Sequence, residues 1–543
     1  MRVLFAASEV EPFAKTGGLA DVAGALPRAL ARLSLDVRVV LPAYREIDRR
    51  KHAVADTGLI LEVPISGRTE PTRVLEGRLA GAPVSFLEAD RYYDRDGLYG
   101  VGGQDFQDNA ERFAFFSRAV VELGRELGRQ GAPPDVFHCH DWQTGLVPAY
   151  LKSLYAGDPR LGRAASVFTV HNLGYQGLFW HYDMHLTGLG WEHFTPDGLE
   201  FWGKISYLKA GLVYADWLTT VSPTYAREIQ TAELGCGMDG VLRARADRLV
   251  GILNGIDVDE WDPQGDPHVP APYSARDLAG KRQAKVVLQT AFALPVTPEA
   301  PLLAMISRLV DQKGCDILVP VIPALAERGC QIVVLGTGEP AFEDAFRDLA
   351  KRYPRQVGVR IAYDNALSHK IEAGADMFLM PSRYEPCGLN QMMSLRYGTV
   401  PIVRATGGLA DTVVEAAPER GGNGFTFGAY DSALLLSAVD RALAAFRDRV
   451  RWEAIVRNGM EADFSWDASA RRYADLYGVA VGDAAVSDAG RSFGGGEPEA
   501  VRSELRDGQP EPTPSPSGPG RPRASRRKRA SPAASPATRK PRG

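Results

Sequence analysis

The sequence predicts an α/β protein made of two doubly wound parallel-sheet domains in tandem, followed by a tail that does not fold. Three observations predict it. The chain opens with a strand, a glycine turn, a helix and a second strand within about forty residues, the βαβ signature of a parallel sheet. The same rhythm of short apolar strands and helical stretches starts afresh near residue 301. Past residue 482 the text turns to Gly, Ser, Pro, Ala and Arg, a composition that cannot bury enough apolar area to fold.

The first strand is "RVLFAAS" at 2–8, a short apolar run. In "GGLADVAGALPRALARL" the apolar positions 19, 22, 23, 26, 30 and 33 recur at helical spacing. "DVRVVLP" at 36–42 is the next strand, then "DVFHCHD" at 135–141, "ASVFTVHN" at 165–172, "WLTTVS" at 217–222 and "LVGILNGID" at 249–257. The second series comprises "PLLAMISRL", "CQIVVLGTG", "VGVRIAYD", "ADMFLMPS" and "TVPIVRAT", with helical stretches between them. In "FSWDASARRYADLYGV" at 464–479, Trp466, Ala470, Tyr473 and Tyr477 share one helical face. These readings divide the chain into a first domain at 1–258, a second at 259–463, a closing helix at 464–482 and a disordered basic tail at 483–543.

Bulk properties bound the function. A chain of 543 residues exceeds a single hydrophobic core. The net charge of −4 hides an asymmetry, because residues 521–543 carry nine Lys or Arg and no acid, which leaves the body acidic. A basic surface is therefore not the body's way of binding, and nucleic acid is expected, if at all, only at the tail, whose composition otherwise suits a solubilising extension. Five cysteines lie far apart with no C-x-x-C pair, which suits reduced thiols in the cytoplasm. The apolar start is cut short by Glu9 and Glu11, unlike a signal peptide, and no run approaches a membrane span. A soluble cytoplasmic protein is expected.

"TGGLAD" occurs twice, at 16–21 and at 406–411, each time between a strand and a helix. Such turns offer backbone N–H groups to an anion at a helix N-terminus, so both domains could face a shared diphosphate-bearing ligand. The same glycines also permit close packing of strand on helix. Lys15, beside the first copy, favours the anion reading there.

"KTGGLADV", "DFQDNAERFAFFSRA", "HDWQTGLVPAYL", "TVHNLGYQG", "NGIDVDEWDP", "SRLVDQKG" and "SRYEPCGLNQ" together resemble the bacterial glycogen synthases and plant starch synthases. The likeness runs in order from residue 1 to about 480. It implies the two-Rossmann-domain GT-B architecture. It also implies transfer of glucose from ADP-glucose to the non-reducing end of an α-1,4-glucan, with retention at the anomeric carbon. The closing helix is expected to cross back to the first domain.

Breaking the C1–O bond leaves a cation-like sugar and a diphosphate of growing negative charge, so fixed cations are the obvious need. Arg308 and Lys313 lie five residues apart just past a strand end, where one loop can aim both at a phosphate pair, and Lys15 would approach from the other domain. The resemblance places Glu385 at the donor sugar. Retaining transfer would run either through a covalent intermediate on it, or by a front-face route in which the leaving phosphate takes the acceptor's proton. Gly388, Leu389 and Asn390 would offer main-chain N–H groups to the distal phosphate, as would Gly17 and Gly18 in the first turn. His171 would lie near the sugar, Tyr363 would stack on adenine, Asn254 would contact the sugar nucleotide, and Asp21 and Asp141 would bind sugar hydroxyls.

Three motifs are read as decoys. "DVD" at 257–259 looks like a metal-binding D-x-D but follows "NGI" as a turn, and Arg and Lys already supply positive charge, so no metal is expected. "HCH" at 138–140 has no third ligand in sight, and "GTGEPA" at 336–341 only partly fits a dinucleotide fingerprint, so no NAD or other cofactor is expected. Gln143 stands where bacterial members often have His, and Asn390 where they often have Thr. Neither departure removes a proposed charge. The choice of donor base, acceptor length, regulation and oligomeric state are not legible. UDP-glucose or a small acceptor is the alternative within enzymes, and a non-catalytic glucan or polyanion binder the alternative outside them.

Overall fold

The computed structural model describes residues 1–161, 163–417 and 421–492. Among them, the first large sheet has nine strands: β1 (Arg2–Ala6), β2 (Asp36–Pro42), β3 (Ala55–Ile65), β4 (Arg68–Leu79), β5 (Ala82–Glu88), β6 (Val136–His140), β7 (Ala165–Val170), β8 (Trp217–Thr220) and β9 (Leu249–Gly251). Their order across the sheet is β9-β8-β7-β6-β1-β2-β5-β4-β3. From β9 to β5 all neighbours are parallel, while β5, β4 and β3 form an antiparallel meander on one edge. β6 and β7 are buried along their whole length, as parallel strands covered on both faces must be.

The second large sheet has six strands, all parallel: β10 (Leu302–Ile306), β11 (Gln331–Leu335), β12 (Val357–Arg360), β13 (Met377–Met380), β14 (Val400–Arg404) and β15 (Phe425–Phe427), in the order β12-β11-β10-β13-β14-β15. Both sheets reverse their winding once, the first between β1 and β6, the second between β10 and β13. In open parallel sheets the crevice beyond the strand ends at such a reversal is where ligands bind. The loops after β1, β10 and β13 carry Lys15, Arg308 and Lys313, and Glu385 respectively.

Segments 254–256 and 464–466 carry the chain between the lobes side by side. Ile256 N–H donates to Phe464 O at 2.9 Å, and Gly255 lies so close to Trp466 that a Cβ would stand 2.5 Å from its nitrogen. The last helix, Trp466–Ser492, then returns to the first sheet. Trp466, Ala470, Tyr473 and Tyr477 form its buried face, as the spacing predicts. Tyr477 Oη bonds His138 Nδ1 at 2.7 Å, Ser469 Oγ donates to Leu253 O at 2.5 Å, and Arg32 pairs with Asp467.

The structure differs from the sequence expectation in several places. The β3–β5 meander was not anticipated, because it is half exposed and interleaved with charge. "LVGILNGID" is extended only over β9, and β15 is too short to read from pattern. The last helix runs to Ser492, ten residues past the expected limit, with Asp483 paired to Arg248. The basic stretch 521–543 lies outside the described residues. Among the described residues no helix is long and apolar enough to cross a membrane.

A candidate active site between the two sheets

A cleft of about 690 Å³ lies where the strand ends of the two sheets face each other. Eleven of the residues singled out from sequence line it: Lys15, Gly17, Gly18 and Asp21 from the first lobe, and Arg308, Lys313, Tyr363, Glu385, Gly388, Leu389 and Asn390 from the second.

The second-lobe wall is assembled from two loops pressed together. Gly314 has φ +79° and sits so near Pro381 that a Cβ would be 2.2 Å from its carbonyl oxygen. That approach brings the Asp311–Lys313 turn against the segment after β13. Lys313 Nζ stands 2.6 Å from Glu385 Oε2, and Ser382 Oγ donates to the same oxygen at 3.0 Å. Glu385 is buried and Lys313 half-buried. A carboxylate so placed is fixed in direction by two partners. Arg308 is exposed, and its one partner among the described residues is the neutral amide of Gln312, at 3.3 Å. Its charge is uncompensated. Gly388 (φ +72°) turns the chain into the short Asn390–Arg396 helix, and Asn390 Nδ2 donates to Ile306 O at 3.0 Å. The backbone N–H groups of Gly388, Leu389 and Asn390 meet no protein acceptor among the described residues.

The first-lobe wall hangs on a carboxylate that the sequence reading missed. Glu9, buried just after β1, accepts from Thr16 N–H at 2.5 Å, Thr16 Oγ1 at 2.7 Å and Gly17 N–H at 3.1 Å, and Tyr99 Oη donates to it at 2.7 Å. Lys15 bonds Asp21 at 2.6 Å. Burial lowers the Lys15 pKa, but attraction to Asp21 and Glu11 outweighs it and leaves a net rise, so the ammonium stays charged. A Cβ on Gly17 or Gly18 would meet nothing within 4 Å, so their bareness leaves room in the cleft. Across it stands Tyr363, with 85% of its surface exposed.

The second "TGGLAD" does not share this duty. Its Thr406 Oγ1 and Gly407 N–H donate to Glu228 of the first lobe, at 2.8 Å and 3.1 Å. Gly407 has φ +45° and a Cβ on it would fall 1.9 Å from Glu385 O, while one on Gly408 would fall 2.0 Å from Cys387 O. Here the glycines serve packing behind the Glu385 backbone, and the anion they bind is internal. Thr224 N–H and Oγ1 donate to Asp411 at 2.8 Å and 2.6 Å, and Ser222 Oγ donates to Pro386 O, so this turn latches one lobe to the other.

His171, Asp141 and Asn254 stand outside the wall of that cleft. His171 follows β7 and bonds His140 Nδ1 through Nε2 at 2.9 Å. Its backbone N–H donates to Asp141 Oδ1 at 2.7 Å. Burial lowers the His171 pKa to about 3, so the ring is neutral near pH 7. Burial raises the buried Asp141 to about 7 despite two backbone hydrogen bonds. Asn254 is buried against Cys387, and its Oδ1 has no partner among the described residues. The "HCH" rings pack 4.1 Å apart and bond Thr169, Tyr477 and His171, and "DVD" is a turn whose Asp257 pairs with Arg28 at 3.1 Å.

A cleft with cations on both walls, one of them paired to the buried Glu385 carboxylate, suits transfer of a sugar from a diphosphate. Residues 2–244 match the model of the starch synthase catalytic domain, and residues 289–458 that of the group 1 glycosyl transferases. The chain is 49% identical to a glycogen synthase of Syntrophotalea carbinolica over 482 residues, spanning 89% of this chain and 99% of that one. It is 52% identical to one from an Anaeromyxobacter species over 478 residues, 88% and 99% of the two chains. The chain belongs to the glycogen synthase family. It is a glycosyltransferase of glycogen synthesis, and its two sheets form the GT-B fold. The catalytic domain of starch synthase IV from Arabidopsis thaliana, solved with ADP and acarbose, superposes with a TM-score of 0.80 at 36% identity, over 89% of this chain and 99% of that one. Sucrose-phosphate synthase of Thermosynechococcus elongatus shares the fold at 18% identity and a TM-score of 0.54, over 89% and 99% of the two chains.

Proposed function

We propose that this chain transfers glucose from ADP-glucose to the non-reducing end of an α-1,4-glucan, with retention, in the cleft between its lobes. We assign the lobes to residues 1–258 and 259–463, with the segment from 464 through the last helix as the strap between them. The reading rests above all on Lys313 and Glu385, 2.6 Å apart in a cleft that also holds the uncompensated Arg308 and, opposite, Lys15.

As C1–O cleaves, negative charge grows on the diphosphate and positive charge on the ring. Arg308 offers a planar fork to the phosphate oxygens, while Lys313 and Lys15 add compact charges from either side. Lys313 is shared: it pairs with Glu385 until the diphosphate competes for it, and Glu385 then faces the sugar as its cationic character develops. The free amides at 388–390 take the distal phosphate, helped by Gly18, while Gly17, whose N–H is held by Glu9 rather than offered to the ligand as the sequence suggests, contributes the open space beside it. Tyr363 covers the adenine, Asn254 bonds the sugar nucleotide, and Asp21 and Asp141 take sugar hydroxyls. Neutral His171 donates or accepts a hydrogen bond at the hexose without adding charge. Fixed cations fill the place of a metal, so none is required. The work is cytoplasmic, where the free thiols stay reduced.

Label transfer to glycogen from ADP-glucose and UDP-glucose, each with and without a chelator, tests this. We expect incorporation from ADP-glucose that the chelator leaves unchanged. Preference for UDP-glucose, or loss of activity on chelation, overturns the donor or the metal-free part.

A further inference from the structure

Between β7 and β8 the chain builds a small antiparallel sheet, in which Leu178–Trp180 pairs with Lys204–Ser206 and that strand with Glu200–Phe201. Residues directly opposite across a ladder share a face, so Trp180, Lys204 and Phe201 stand together. Phe179 points the other way and anchors the sheet on Trp142 and Tyr207, at centroid distances of 5.6 Å and 4.7 Å.

The outer face is aromatic and uncovered. Trp180, Tyr182 and Trp191 are each more than half exposed and Trp202 is 83% exposed, a density of bare rings that a soluble surface rarely carries without a partner. The rings touch in pairs, Trp180 with Tyr182 at 4.6 Å, Trp191 with Phe194 at 5.5 Å and Phe201 with Trp202 at 6.1 Å. Trp202 bears a second, independent cost. It occupies the hairpin turn before Gly203 with φ +52°, where a bulky residue is strained and Asn or Gly is normally found. A fold that needed only a turn would not hold a strained, solvent-facing indole there. Strain of this kind collects where a side chain must be presented.

Two observations say what meets those rings. The segment that bears these rings carries Asp183, Glu192 and Asp197 against exposed Lys204, so it repels phosphate-bearing chains and anionic headgroups. It also reaches toward the segment that carries Glu385. A Cβ on Gly237 would lie 3.4 Å from Trp202 Nε1 and 3.0 Å from Phe201, and the adjoining Cys236 O accepts from Gln176 at 2.9 Å. Tyr384, next to Glu385 in the chain, lies within electrostatic reach of Cys236, Tyr175 and Arg308.

We propose that this aromatic face binds a stretch of α-glucan, holding the polysaccharide acceptor outside the cleft while its chain end enters. The idea rests on the glucan-elongating function above. A neutral polyol suits the chemistry: pyranose C–H faces carry slight positive charge toward the negative face of an aromatic ring, and the acids at the rim accept hydroxyl hydrogens.

Trp202→Asn separates binding from folding, because Asn relieves the strained φ and should leave thermal stability equal or raised. In native gels cast with glycogen, the wild-type chain should be retarded. Trp202→Asn and Trp180→Ala should each lose much of that retardation, and Trp202→Phe should retain it. The ratio of KM for glycogen to KM for a short maltooligosaccharide should rise about ten-fold in the double variant Trp180→Ala/Trp202→Asn. Retardation unchanged in the variants overturns the proposal. So does a change of sedimentation from dimer to monomer without loss of retardation, which would make the face a self-association surface. Absence of any glucosyl transfer by the wild-type chain counts against the enzymatic reading instead, and the gel still decides this one.

Discussion

The Glu228 carboxylate accepts the backbone N–H of Gly407 at 3.1 Å, so an acid of the first lobe closes the glycine turn of the second. Glu9 does the same for Gly17 within the first lobe, also at 3.1 Å. Two copies of one hexapeptide thus serve different ends, and a pair of identical substitutions separates them. Gly407→Ala should destabilise the chain by about 2 kcal/mol or more, because its Cβ meets Glu385 O and its φ is positive. Gly17→Ala should shift stability by about 0.5 kcal/mol or less, yet weaken ADP binding, since its Cβ enters open cleft. Thermal unfolding and ADP calorimetry on both variants decide the matter, and similar behaviour of the two would refute the distinction.

Glu385→Ala should lower turnover by about 10²–10³-fold while ADP binding stays level or tightens. The tightening follows from geometry: without the carboxylate, the Lys313 ammonium 2.6 Å away is released for the diphosphate. An equal fall in turnover and ADP affinity would mean that Glu385 chiefly maintains the fold.

Arg308→Ala and Lys313→Ala should each weaken ADP binding by about ten-fold or more, but only the second should cost stability. Arg308 is exposed and in no ion pair among the described residues, whereas loss of Lys313 strands a buried carboxylate, at roughly 3 kcal/mol. Near-normal ADP affinity in both would remove them from the diphosphate site.

Asp141 sets a pH dependence of definite sign. Its folded pKa is raised to about 7 by burial, above the ordinary carboxylate value, so the folded chain holds the extra proton between about pH 4 and 7. Its contribution is fully present below that window and is lost as pH rises through it. Asp141→Asn, which cannot ionise, should therefore gain stability relative to the wild type as pH goes from 4 to 7. Denaturant midpoints across that range measure the difference. A constant difference would place the Asp141 titration outside the window.

The parallel strands were legible because burial on both faces makes them unbroken apolar runs, as in "VFHCH" and "ASVFTV". β3 and β4 were not, because strands such as "RTEPTRVLEGRL" alternate buried and exposed residues and carry charge in their midst. The charged residues of the cleft could be read from their places after strand ends, as Arg308, Lys313 and Glu385 show. What escaped was reciprocal contact. Nothing local announces that Glu228 will meet a turn 179 residues away, or that Ser382 will share an oxygen of Glu385 with Lys313. Glu9 left one signal, an acid placed between the first strand and a glycine turn. The second "TGGLAD" has the letters of the first, and the packing of Gly407 and Gly408 on the Glu385–Cys387 backbone selects for it the close-packing role that the sequence leaves open.

The strap helix has a consequence for how the molecule is made. Tyr473 and Tyr477 complete the side of the first sheet on which His138 lies, yet they leave the ribosome more than two hundred residues after β9. The N-terminal half therefore emerges with an apolar wall open to water and stays so through synthesis of the whole second lobe. Its maturation is timed by the end of translation, and a nascent chain stalled anywhere before residue 466 is a natural client for chaperones.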